Sequence, residues 1–155
     1  MRMALGVVVV GAMLSATSVY AQQPAAPAGQ AQQVSNARLF PNDGGMVLNF
    51  IKPDKTADFE AVIAKLKEAL AKSEKPERKQ QAAGWKVFKS PDPAGANVLY
   101  VFIIDPSMKT ADYQISNIIA EALPAEANEI LKKYAECYAQ GMNIVNLNLI
   151  QDLGK

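Results

Sequence analysis

A short internal repeat constrains the fold of this chain more than any other feature of its sequence. The segment KTADF at residues 55–59 is echoed by KTADY at 109–113, and each copy follows an apolar segment and a proline. Further along, EAL at 68–70 is matched by EAL at 121–123, and the second copy has one residue fewer between its KTAD and EAL segments. Repetition of this kind is typical of a supersecondary unit that is used twice. We therefore predict two copies of a strand–helix–strand unit.

The apolar pattern around the first copy predicts its elements. Residues 45–52 are apolar on both faces and end at a proline, which suits a central strand. Thr56 is a good N-cap for a helix over 56–73, with Asp58 in its first turn. The mixed-sign segment 74–79 is expected to be a solvated loop. Strands over 85–89 and 97–105 follow, joined by a hairpin connection at 91–95.

The second copy predicts a longer helical part. Its KTADY segment is expected to begin a helix on the same side of the sheet, which Pro124 ends, and a further helix is predicted over 125–140 with Gly141 as its C-terminal stop. A last strand is predicted over 142–150. This order predicts an α+β, ferredoxin-like βαββαβ fold with an extra helix before the last strand, in which an antiparallel sheet carries its helices on one face.

Both faces of the predicted central strands are apolar, whereas the helices can cover only one of them. The chain has no spare element large enough to cover the other face, and a monomer tolerates only a limited exposed apolar patch. We therefore expect a second copy of the protein to cover this face, in a homodimer.

The N-terminal residues have the order of an export signal. A basic start, an apolar stretch and a small-x-small site ending at Ala21 predict a signal peptide over 1–21, and the apolar run is too short for a stable membrane span. Residues 22–36 are uncharged and rich in Gln, Ala and Pro, which indicates a flexible tether before a single domain over 37–155. We expect an exported protein, either periplasmic or extracellular.

Composition argues against several classes of function. Sixteen Lys and Arg stand against fifteen Asp and Glu, so removal of Arg2 with the signal leaves no net charge to attract nucleic acid. The chain has no histidine, which is the commonest general base, metal ligand and haem ligand. The single cysteine, Cys137, has no histidine to activate it and is interpreted as a small buried hydrophobe. We expect no metal site and no cofactor.

Between residues 45 and 150 the element order and the repeated KTAD segments resemble the dimeric alpha-beta barrel superfamily, which includes antibiotic-biosynthesis monooxygenase-like proteins. The resemblance implies two ferredoxin-like sheets that pack face to face around a cavity. Proteins of this superfamily include cofactor-independent quinone-forming monooxygenases. They also include haem-using enzymes that look dependent on a histidine, which this chain lacks. No residue motif of the monooxygenases matches here, so the resemblance assigns no catalytic residue.

Five residues are candidates for ligand binding. Asn49, Asn146 and Asn148 are amides in apolar strands, and the first and last strands of a ferredoxin-like sheet are neighbours, so the three amides are expected to share one polar patch. Trp85, the only tryptophan, would form an aromatic wall with Tyr100 or Phe102 on the adjacent strand. The alternative, in which the amides are structural and the rings belong to the core, stays open.

Two functions fit these residues. The first is an exported dimer that binds a small apolar or aromatic molecule, or another protein, without evident catalytic machinery. The alternative is a cofactor-independent monooxygenase-like enzyme acting on an aromatic or quinol substrate that supplies most of the reactivity. The sequence does not decide whether the protein is an enzyme, but its lack of an acid–base constellation favours the first function. A purely structural or chaperone-like module is a third, weaker hypothesis.

Overall fold

The computed structural model describes residues 36–154, and the predicted signal peptide and nearly all of the predicted tether lie outside this range. Residues near the start of the range are already attached to the domain, since Arg38 N donates to Asp112 Oδ1 over 2.8 Å and the Phe40 ring is buried. The elements in chain order are β1 (Gly44–Ile51), a 3-10 turn (Pro53–Lys55), α1 (Thr56–Lys72), α2 (Pro76–Ala83), β2 (Trp85–Ala94), β3 (Asn97–Ile104), α3 (Ile115–Ala122), α4 (Ala127–Cys137) and β4 (Tyr138–Leu147).

The four strands form one antiparallel sheet in the order β2-β3-β1-β4. Leu48 at the centre of β1 lies opposite Val101 of β3 on one side and Asn143 of β4 on the other. The first and last strands are therefore neighbours, as the sequence predicts. This strand order confirms the α+β, ferredoxin-like fold.

One face of the sheet packs against the helices. Alternate residues of a strand point to opposite faces, and on β1 the buried set is Val47, Asn49 and Ile51. These residues share one core with the buried faces of α1, α3 and α4, which include Phe59 and Ile118. The expectation that the two repeat helices lie on the same side of one sheet is confirmed for α1 and α3.

The start of α1 differs from the prediction by one residue. Lys55 occupies the N-cap position and makes no side-chain capping bond, whereas Thr56 is the first helical residue. The cause is the 3-10 turn at Pro53–Lys55, which runs directly into the helix and leaves the Thr56 hydroxyl 3.4 Å from the Pro53 carbonyl oxygen. Asp58 lies in the first turn, as predicted.

The expectation of a solvated loop at 74–79 is wrong from Pro76 onward, because α2 begins there. Proline at the first position of a helix loses no hydrogen bond, since that N–H has no partner within the helix. Two polar side chains of α2 are buried, and both reach the Asp112 carbonyl oxygen: Arg78 Nη1 at 2.6 Å and Gln81 Nε2 at 2.9 Å.

The second KTAD segment does not begin a helix, because its polar groups bond elsewhere. Thr110 lies in a turn in which Ala111 N donates to Met108 O, and α3 starts only at Ile115. The carbonyl oxygen of Asp112 accepts from α2, and its carboxylate accepts from Arg38 N and Gln114 N. Asp112 therefore precedes the helix, unlike its counterpart in the first copy.

Two glycines have positive φ, one inside a strand and one in a turn. Gly141 has φ +85° and lies within β4, where the pairing with β1 shifts between Asn49 and Ile51, so it forms part of an irregularity rather than a helix stop. Helix α4 has already ended at Cys137, and β4 starts at Tyr138, four residues before its predicted start. Gly95, with φ +66°, forms the β2–β3 turn with Ala96, so the hairpin is tighter than predicted.

Candidate functional site

The face of the sheet opposite the helices is apolar and incompletely buried, and we call it the open face. Directly paired residues of neighbouring strands share a face, so the register assigns its members. Its apolar side chains are Met46, Leu48 and Phe50 on β1, Leu99, Val101 and Ile103 on β3, Phe88 on β2, and Val145 and Leu147 on β4. None of these side chains is buried, and Phe88 is 52% exposed. A surface of this composition is typical of an interface.

Asn49 lies on the other face, inside the core, and its amide is fully engaged. Its Nδ2 atom donates to the carbonyl oxygens of Val47 and Tyr100, each at 3.2 Å, and its Oδ1 atom accepts from the Tyr138 hydroxyl at 2.8 Å. The Tyr134 and Tyr138 hydroxyl oxygens are 2.6 Å apart, and burial raises the pKa of both phenols. Because the partners of its amide all lie within the protein, Asn49 is better interpreted as a structural residue than as part of a polar surface that contacts a ligand.

The other two asparagines lie away from Asn49. Asn146 pairs with Gly45 on β1, four residues along the strand from Asn49, and its side chain is exposed. Asn148 follows the end of β4, where it accepts a hydrogen bond from Asn42 Nδ2 at 2.5 Å. The structure therefore does not bring the three amides into one patch: Asn146 shares the helix face with Asn49 but lies four residues away along the strand pair, and Asn148 lies beyond the end of β4.

Trp85 and Tyr100 lie on the helix face, on adjacent strands, as parts of a larger aromatic cluster. The Trp85 ring meets the edges of Phe102 and Tyr113, with ring centroids 5.9 and 5.4 Å apart. Tyr100 packs on Phe59 with centroids 4.7 Å apart. Most of this aromatic wall is therefore core. The participation of the five candidate residues in ligand binding stays a prediction.

The hydroxyl of Tyr100 reaches the edge of the core and meets two charges there. It donates to Glu60 Oε1 over 2.5 Å, and Lys89 Nζ is 3.0 Å from the same oxygen. The pKa of the Glu60 carboxyl is lowered, mainly by the hydrogen bond from Tyr100 and to a lesser extent by the one from Lys89. The pKa of the Tyr100 phenol is raised, mainly by burial and to a lesser extent by its hydrogen bond to Glu60. A carboxylate held ionised in this way is a poor general base, and its phenol partner is a poor acid.

Cys137 is buried, as expected from the sequence, and its sulfur lies 3.1 Å from the Lys133 carbonyl oxygen. Burial raises the pKa of its thiol, which disfavours the nucleophilic thiolate. Within residues 36–154 no group of three or more Cys, Asp or Glu side chains is placed to hold a metal ion. In the same part of the chain, no helix combines the length and hydropathy needed to cross a membrane.

Comparison with known proteins finds no matching family model and no matching curated protein. A solved structure from Bordetella bronchiseptica, provisionally described as an antibiotic biosynthesis monooxygenase, shares 18% identity with a TM-score of 0.38. The similarity covers 70% of this chain and 96% of that chain. That protein is of the kind named by the sequence resemblance. The ferredoxin-like assignment itself rests on the strand order and register of this chain's own sheet.

Proposed function

We propose that this protein is an exported, homodimeric binding domain for a small apolar or aromatic molecule or a protein partner, without catalytic machinery of its own. The observation that carries the proposal is the open face. Two copies that pack these faces together would remove the apolar side chains of four strands from water.

The distribution of polar residues supports self-association through this face. Its centre, around Leu48 and Val101, is apolar, whereas Lys86 on β2 and Asn143 on β4 bring polar groups to its two edges. An apolar centre with a polar rim is the usual anatomy of an interface. Complete burial of one large aliphatic side chain stabilises by about 1.5–3 kcal/mol, so even partial burial of several on each copy is a substantial driving force.

A charge at the centre of the open face tests this proposal. We expect Val101→Lys to shift the protein from dimer to monomer in light scattering, because the dimer would have to bury an unpaired ammonium. Ala64→Lys, which adds the same charge at an exposed position of α1, is the matched control and should remain dimeric. Circular dichroism should report folded protein for both variants. If folded Val101→Lys keeps the dimer mass, the open face is not the interface.

The enzymatic alternative has a direct assay. Purified protein is mixed with a panel of quinols and polyphenols, and oxygen consumption is followed. We expect no rate above the rate of autoxidation without protein. Oxygen consumption that increases in proportion to protein concentration would replace the binding-domain proposal with a cofactor-independent oxygenase.

Export is part of the proposal, and it is supported by the basic, apolar and small-x-small order of the first 21 residues. We expect the mature chain to begin near Gln22 when the gene is expressed in a host with a compatible export system. Mass spectrometry of the exported protein tests this expectation. An intact Met1 terminus would contradict it.

A further inference from the structure

A groove lies on the helix side of the molecule, between α1 and the edge strand β2, and we call it the α1–β2 groove. Its volume is about 330 Å³, at the lower end of the roughly 300–1,000 Å³ typical of small-molecule sites. Apart from one lysine, it is lined by Ile63, Leu66, Leu70, Ala82, Trp85 and Val87. The walls are thus almost wholly apolar, and the groove is large enough for a small ligand.

The exception is Lys67, which brings one positive charge to the groove. The side chains three and four residues away on α1 are Ile63, Ala64, Leu70 and Ala71, so no carboxylate can pair with it along the helix. The other two lysines of α1, Lys65 and Lys72, each have a carboxylate partner within 4.0 Å, whereas Lys67 has no ion pair among the described residues. Its aliphatic stem can lie along the apolar wall while its ammonium stays in water.

Trp85 supplies the aromatic part of the same wall. Its indole Nε1 atom is buried and has no hydrogen-bond acceptor among the described residues. The indole therefore contributes to the groove through its ring rather than through its polar atom.

A second cavity, between α1 and α4, lacks this combination. It measures about 170 Å³ and is lined by Lys65, Glu126, Glu129 and Lys133 among others. Lys65 and Glu126 already pair with each other at 2.7 Å. Its charges are therefore at least partly satisfied within the protein.

We infer that the α1–β2 groove binds a small amphipathic anion, with its aliphatic or aryl-aliphatic body against the apolar wall and its carboxylate at Lys67. An apolar wall recognises the body of such a ligand, and the single unpaired cation selects the sign of its head group. This inference rests on the small-molecule-binding part of the proposed function and is independent of dimerisation, because the groove lies on the helix side of the sheet.

Titration with three probes of equal chain length tests the inference: octanoate and octylammonium below their micelle concentrations, and octanol below its solubility limit. Trp85 is the only tryptophan of the chain and lines the groove, so its fluorescence reports occupancy without a label. We expect a saturable fluorescence change with octanoate. Octanol should bind about three- to five-fold more weakly, the difference that an exposed ion pair provides, and octylammonium more weakly still.

Three variants locate the site. Lys67→Gln should reduce the affinity for octanoate to that for octanol, whereas Lys72→Gln, which removes a lysine of α1 that pairs with Glu68, should leave it unchanged. Val87→Glu, at a partly exposed position of the groove, should weaken octanoate binding by placing a carboxylate beside Lys67. The absence of a saturable change with octanoate, equal affinities for octanoate and octanol, or equal losses in the two lysine variants would each overturn the inference. Light scattering on the same samples reports the dimer separately, so failure of one claim is distinguishable from failure of the other.

Discussion

The buried amide of Asn49 joins β1 to β3 and to the junction between α4 and β4. It donates to the carbonyl oxygens of Val47 and Tyr100 and accepts from the Tyr138 hydroxyl. A leucine of similar size would leave the Tyr138 hydroxyl without this acceptor and remove a donor from two carbonyl groups in a fully buried environment.

We therefore expect Asn49→Leu to lower the free energy of unfolding by about 1–3 kcal/mol, measured by urea denaturation. Asn146→Leu makes the same chemical change at an exposed strand position and should change stability by no more than about 0.5 kcal/mol. Equal losses in the two variants would contradict the structural role assigned to Asn49.

The two asparagines look alike in the sequence because both interrupt apolar strands. That a buried amide needs partners could be predicted from this pattern alone. The difference between them could not, because it depends on the contacts around each side chain: Asn49 is buried on β1, which lies between β3 and β4, whereas Asn146 is exposed on the edge strand β4. The partner of Asn49 was also hidden, since Tyr138 is 89 residues away and the helical pattern places it inside the preceding helix rather than at the start of β4.

Helix α2 is fixed to α3 by a cluster of charges centred on Arg78, which is only 5% exposed. Glu121 Oε2 is 3.0 Å from Arg78 Nη2 and 2.6 Å from Lys75 Nζ, and Ser73 donates to its other oxygen at 3.1 Å. Burial acts to raise the pKa of Glu121, but the hydrogen bonds from Arg78, Lys75 and Ser73 outweigh it and lower that pKa to about 2.

This depressed pKa predicts a pH-dependent contribution to stability. Because the folded pKa lies below the ordinary value of 4.5, the contribution is present above pH 4.5 and is lost as the pH falls toward about 2. We expect Glu121→Gln to be less stable than the natural protein by about 2–3 kcal/mol at neutral pH, with the difference closing at low pH. Chemical denaturation at several pH values measures it.

Glu126→Gln is the matched control, because it removes a carboxylate whose ion pair with Lys65 is exposed. Its effect on the free energy of unfolding should stay within about 1 kcal/mol at neutral pH. A constant difference between Glu121→Gln and the natural protein from neutral pH to pH 2 would refute the linkage.

Elements with a strong apolar period were predictable from the sequence, whereas elements held by polar contacts were not. β1, α1 and β3 begin and end within one residue of their predicted limits, because their buried positions recur at the period of a strand or a helix. α2 was missed because its buried side chains are Arg78 and Gln81, which sequence patterns assign to solvent. The late start of α3 has the same origin, since Asp112 is held by groups of α2 and by Arg38.

The whole domain is a sheet with two unlike faces. The helix face carries the core, including Asn49 and the aromatic cluster, while the open face carries apolar side chains that stay in contact with water. The element order predicted the fold, and the apolar pattern on both faces of the central strands predicted the need for a cover on the face that the helices leave free. By register, Asn49, Tyr100, Trp85 and Asn146 all lie on the helix face, but the sequence could not predict that Asn49 and Tyr100 are buried there while Asn146 is exposed.

The mass of the exported protein in solution tests the dimer most directly. Multi-angle light scattering at tens of micromolar should give a single species of twice the mass of the mature chain, because pairing would bury the open face of each copy. A monomer mass under these conditions would contradict the proposal that a second copy covers this face.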